Sequence, residues 1–222
     1  MKIVAQESAR ITVLFPLEEV VPLSGFNGLE AINKIQQRYE FLKVPDPGVS
    51  REEIAKTGYK FGTGQIQLNG TKGVIVQLGI FSDGISADAQ DSEIAEKFLI
   101  DIIRYLQSDF SFRPFATEPR WFFHNQMVVE FKNSPAGLIA SFGKISDAIS
   151  KYLDRNYKTH VPMSFFRLDL QVDKNIVPEP APKFILERRV GIAFEKERYY
   201  SSAPLRTVDH IALLEEIEKL AG

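Results

Sequence analysis

The chain has no cysteine, one tryptophan and three histidines among 222 residues. The missing cysteine excludes disulfides, thiolate zinc sites, iron–sulfur clusters and cysteine nucleophiles, and it fits a reducing cytoplasm, the compartment expected here. Long apolar runs are missing too. None approaches the ~20 residues that a membrane helix needs, and Met1-Lys2-Ile3-Val4-Ala5-Gln6-Glu7 turns polar before a signal-peptide core could form. No membrane partner is expected. Nor is there an excess of positive charge: the formal net charge is −2, which argues against a dedicated nucleic-acid binder. Residues 1–110 carry 11 Lys/Arg against 15 Asp/Glu and residues 111–222 carry 16 against 14, an imbalance mild enough for a mixed, solvated surface to explain.

What is present is an ordinary globular composition, 44% hydrophobic and 25% charged, on a chain long enough to bury a core without metal or disulfide staples. The pattern is organised around Trp121–Phe131. With the period of two that a strand imposes, Trp121, Phe123, Met127, Val129 and Phe131 share one face, and Phe122, His124, Gln126, Val128 and Glu130 share the other. A run so rich in aromatic and β-branched residues, with no internal Pro or Gly, reads as a strand inside a sheet.

Before that ribbon, Arg10–Phe15 alternates as a short strand ending at Pro16. Leu29, Ile32, Ile35, Tyr39 and Leu42 recur at helical spacing, predicting a helix over 27–42. Ser50-Arg51-Glu52-Glu53 matches a capping box that would start one or two helical turns ending near Gly58. Tyr59–Leu68 and Gly73–Asp83 flank Asn69-Gly70, the strongest short-range hairpin signal. Gly62, Gly64 and Gly79 inside those strands predict bulges or close backbone approaches. Asp83-Gly84 forms another turn, Ile85–Asp88 a stub of strand, and Asp91 or a neighbour caps a helix presenting Ile94, Phe98, Ile102 and Leu106. Residues 108–120 hold two prolines and no period, so they read as a linker, and their three phenylalanines imply that it is packed.

After the ribbon, Asn133-Ser134-Pro135 predicts the start of a helix that runs to about Arg155 and carries Leu138, Phe142, Ile145 and Ile149 on one face. Phe166, Leu168, Leu170 and Val172 alternate with Arg167, Asp169, Gln171 and Asp173 as a half-buried strand. The stiff, Pro-rich 177–182 connects to a strand over Phe184–Phe194, interrupted by Arg188. A last helix begins near Thr207. The fold class is therefore α+β: antiparallel sheet with helices packed on one face. Two halves, 1–110 and 111–222, form one compact unit and repeat a strand-helix-strand-strand-helix order, as in ferredoxin-like folds.

Chemistry is harder to find. His124, His160 and His210 lack metal-ligand spacing to each other or to carboxylates. His124 reads as half-exposed, and His210, in the first turn of the last helix, as a surface residue. Gly62-Thr63-Gly64 and Gly70-Thr71-Lys72-Gly73 run into strands instead of delivering a phosphate to a helix N-terminus. Asp83, Asp88, Asp91 and Glu93 fit helix capping better than a calcium loop. The charges at Arg167, Asp169, Asp173, Glu187, Arg189, Glu195 and Glu197 fit favourable cross-strand pairing.

Two features stand out as ligand or partner contacts. Arg188 interrupts an apolar face, where an inward arginine requires a carboxylate, carbonyls or a partner molecule, and Arg189 lies beside it. Arg113, Arg120, Trp121 and Phe122, with Phe123, combine cations and aromatics as protein interfaces do. No catalytic residue, metal or cofactor is assigned. The expected function is non-enzymatic association, with itself or within a protein complex. The alternative is a small-molecule-binding or hydrolytic domain with its site in the cleft between the halves, using Arg188 or Arg189 against an anionic ligand.

Overall fold

The computed structural model describes residues 1–25, 27–46, 56–68, 71–138, 140–157, 165–171 and 183–222. Among them are eight strands, β1 (Lys2–Leu14), β2 (Tyr59–Leu68), β3 (Thr71–Phe81), β4 (Gly84–Ala89), β5 (Arg120–Glu130), β6 (Arg167–Leu170), β7 (Phe184–Arg188) and β8 (Arg198–Ala203). Five helices accompany them: α1 (Leu17–Val20), α2 (Gly28–Tyr39), α3 (Ser92–Asp109), α4 (Ala140–Tyr157) and α5 (Thr207–Ala221). The strands form one antiparallel sheet in the order β2-β3-β4-β1-β5-β8-β7-β6, so the protein is α+β and the central aromatic ribbon is an interior strand, β5. Contacts divide the chain into a first unit, Ser8–Asn125, and a second, Met1–Glu7 with Gln126–Gly222. Strands β1 and β5 each contribute to both.

In the first unit, α2 and α3 cover one face of the strands. Asn27 caps α2 by accepting from the Glu30 amide at 3.2 Å, and Glu40 ends it in the left-handed region at φ 51°. Asp91 caps α3 through the Ile94 amide at 2.8 Å. Ile32, Ile35 and Tyr39 of α2 and Phe98, Leu99 and Ile102 of α3 meet Ile11, Val13, Ile75, Leu78 and Ile85 of the sheet in one buried cluster. Leu29 and Leu42, counted on the apolar face of α2 by periodicity, are instead exposed, because the helix stops at Tyr39 and its buried stripe is narrower. The hairpin pairs Leu68 with Thr71; its turn, like the capping box at 50–53, lies outside the described residues. Gly62 marks a close backbone approach, exchanging two hydrogen bonds with Lys43 at 2.9 and 3.0 Å. The 108–120 segment is packed as its aromatics imply: Phe110 and Phe112 are buried and Phe115 leans on the same cluster.

In the second unit, Met127 and Val129 of β5 and Phe131 just after it join Phe184 and Leu186 of β7, Tyr199 and Ala203 of β8, and Leu214 and Ile217 of α5. Several expectations are corrected here. The run 184–194 is not one strand: β7 stops at Arg188, Gly191 turns the chain at φ 78°, and a separate strand β8 follows. Val190 and Phe194 are accordingly exposed. The helix expected from Pro135 splits into a 3-10 turn, Pro135–Leu138, and α4. Ile145 and Ile149 of α4, expected in the core, are solvent-exposed. His210 is fully buried, where a surface position was expected.

Each unit also differs from ferredoxin-like order by one strand. Three strands, not two, stand between the helices, giving β5-β1-β4-β3-β2 in the first unit and β1-β5-β8-β7-β6 in the second. The added members are β4, read from sequence as a stub, and β8, which lies beyond the strand read over 184–194.

Candidate functional site

Arg188 finds the partners that its inward position demands. It is 7% exposed. Its Nε donates to the Phe165 carbonyl at 2.9 Å, one terminal nitrogen to the Phe194 carbonyl at 2.9 Å, and the other to Glu197 Oε1 at 2.8 Å. The guanidinium also lies 4.5 Å from the Phe194 ring centre and 5.0 Å from that of Tyr199. The other Glu197 oxygen accepts from the Tyr199 hydroxyl at 2.8 Å. Burial and that carboxylate raise the Tyr199 pKa, so the hydroxyl stays protonated and donating. Every nitrogen of Arg188 is thus engaged by the protein itself, and the cluster does structural work by closing the 189–197 excursion onto β7 and β8. Arg189 points outward and pairs with Glu7 at 3.2 Å.

The other sequence candidates separate by strand parity. Trp121 leans on the buried cluster of the first unit together with Phe123. Phe122 faces the opposite way, with the Arg120 guanidinium 5.9 Å from its ring centre. Arg113 belongs to neither group. It clamps the 110–115 segment to α1, donating from Nε to the Val21 carbonyl at 3.2 Å and from a terminal nitrogen to the Glu18 carbonyl at 2.9 Å. The strand face opposite the buried cluster, which holds Phe122, also carries Arg10, bonded to Asp88 at 2.5 and 2.7 Å through two nitrogens. His124 is close enough to feel both: burial and the Arg10 charge lower its pKa, and Asp88 opposes them.

The chain also holds a serine and histidine in contact that spacing did not reveal. Ser201 Oγ lies 2.9 Å from His210 Nε2, and both residues are fully buried. The serine hydroxyl donates to the Ile185 carbonyl at 3.0 Å, so the imidazole is its donor here and not its base. A nucleophile requires the opposite proton arrangement and access to substrate. The pair fastens α5 to β8. Among the described residues no three His, Cys, Asp or Glu side chains gather as a metal site, and Asp88 and Asp91 serve Arg10 and the α3 cap separately. No protein-family model and no curated protein matches this chain.

The surfaces left open for recognition are the two ends of the strand order. At β2 the end is partly closed: Leu42 and Lys43 donate to the Thr63 and Gly62 carbonyls at 2.9 and 3.0 Å, and Gly62 donates back. At β6 no strand pairs with the outer side among the described residues. Phe166, beside that strand, and Leu170, within it, are 48% and 56% exposed. Arg167 is held by Glu187 and Asp169 at 3.0 Å each, both signs of charge lying on the polar face as sequence alternation implies; Asp173 lies outside the described residues.

Proposed function

We propose that the protein works by association, with a second copy or with another protein, and that the β6 edge of the second unit is the contact. The observation that carries this reading is a strand edge with no outer partner among the described residues, bearing two exposed large apolar side chains, Phe166 and Leu170. An open edge offers a row of backbone donors and acceptors to an added strand. The exposed Ile145 and Ile149 of α4, one helical turn apart, give the same unit further apolar surface. A four-residue strand supplies far less than the ~1,600 Å² of a standard stable interface, so the association is of the weak, reversible kind. Size-exclusion chromatography with light scattering over a concentration series tests it. A mass that rises with concentration, and that returns to monomer in Phe166→Asp/Leu170→Lys, is expected. A clean monomer at every concentration, together with no partner in a pull-down, overturns the reading.

A further inference from the structure

The first unit contains a partly open apolar cavity of about 90 Å³, bordered by the sheet, α1, α2, α3 and the 110–115 segment. Its floor is formed by buried Ile35, Phe61 and Ile85, and its rim by half-buried Phe15, Leu17 and Phe115. A space of this size has room for several waters, but its apolar wall has little to hold them, and such cavities take up apolar molecules instead. Gln107 and Arg113 are the polar residues that border it. The Arg113 guanidinium is pinned in place by the Val21 and Glu18 carbonyls, which engage two of the N–H groups that a guanidinium offers. A fixed cation beside an apolar chamber of this volume suits an amphiphile with a short tail and an anionic head. Gly28 lines the cavity in the first turn of α2, and a Cβ built there meets no atom within 4 Å.

We infer that this cavity is a binding site for a short aliphatic chain bearing a carboxylate or similar anionic head, with the tail on Ile35, Phe61 and Ile85 and the head at Arg113. The inference is independent of the association reading, since it uses no residue of β6. It is tested on the full chain with sodium butanoate, pentanoate, hexanoate and octanoate against matched sodium chloride, with the 1-alkanols of equal length as the neutral arm. Thermal shift and the fluorescence of the single tryptophan, Trp121, which packs on the same cluster, are the readouts.

The expected result is saturable binding that tightens about fourfold per methylene until the tail fills the chamber, then levels off. Carboxylates are expected to bind at least tenfold tighter than the matching alcohols. Gly28→Leu, whose side chain enters open space, is expected to fold normally and lose the response, as is the independent filling variant Ala31→Leu. No saturable response to either series overturns the site. Equal binding of acid and alcohol overturns the role of Arg113, and undiminished binding in a folded Gly28→Leu overturns the location.

Discussion

Arg188 shows how far a single residue can be read. An arginine on an otherwise apolar strand face announces that it must be neutralised and hydrogen-bonded, and the structure supplies Glu197 and two carbonyls. What periodicity cannot supply is the identity of those partners, because residues 189–197 leave the strand and return. Removing the cation strands a carboxylate and two carbonyls in a mostly buried pocket, so Arg188→Met is expected to destabilise the fold by about 3 kcal/mol, measured by urea unfolding; a change within experimental error contradicts the structural role. His124 gives a pH signature. Its folded pKa lies below the ordinary 6.5, so the unfolded chain binds the proton more readily and stability falls as pH drops below 6.5. His124→Gln is expected to flatten that part of the profile of melting temperature against pH. An unchanged slope would assign it to other groups.

At the scale of elements, the parts with strong local chemistry were the legible ones. The pairing of the two strands that flank Asn69-Gly70, the Asp91 cap and the strand at β5 are written in neighbouring residues, and each is present in the structure. Strand β8 was not legible because Arg-Tyr-Tyr-Ser-Ser-Ala lacks an apolar period: Ser201 and Ser202 are buried through hydrogen bonding and pairing with β7, information that resides in distant strands. The first eight residues of β1, Lys2–Ala9, were missed for a similar reason, since Lys2–Ala5 is exposed throughout and carries no alternation. Strand β4 escaped full recognition because Gly84 reads as a turn. Gly84 instead starts the strand at φ 151°, and a Cβ there would stand 2.1 Å from the Val13 carbonyl oxygen. Gly84→Ala must push β4 off β1 at that end and is expected to cost about 2 kcal/mol or more. A variant as stable as the parent in thermal unfolding would show that the register at Leu14–Gly84 is not as described.

For the whole molecule, the α+β class was visible in sequence, whereas the third strand between the helices of each unit and the way the units share strands were not. Two long strands, β1 and β5, each serve both units, so the second unit is completed by the first seven residues of the chain. Linear reading places those residues with their sequence neighbours, and only pairing between residues over a hundred positions apart reveals otherwise. The candidate site was legible to the same partial degree. Parity sent Trp121 inward and Phe122 outward as the alternation requires, whereas the β6 edge depends on which strand has no outer neighbour, a property of topology. Association through that edge is the central claim, and amide hydrogen exchange across a protein concentration series tests it most directly, with the putting-on of an added strand read at Arg167–Leu170. The account expects these amides to gain protection as concentration rises, and to lose that gain in Phe166→Asp/Leu170→Lys while the core of β5 and β8 is unchanged. Exchange at Arg167–Leu170 that is independent of concentration, alone or with added protein partner, would contradict it.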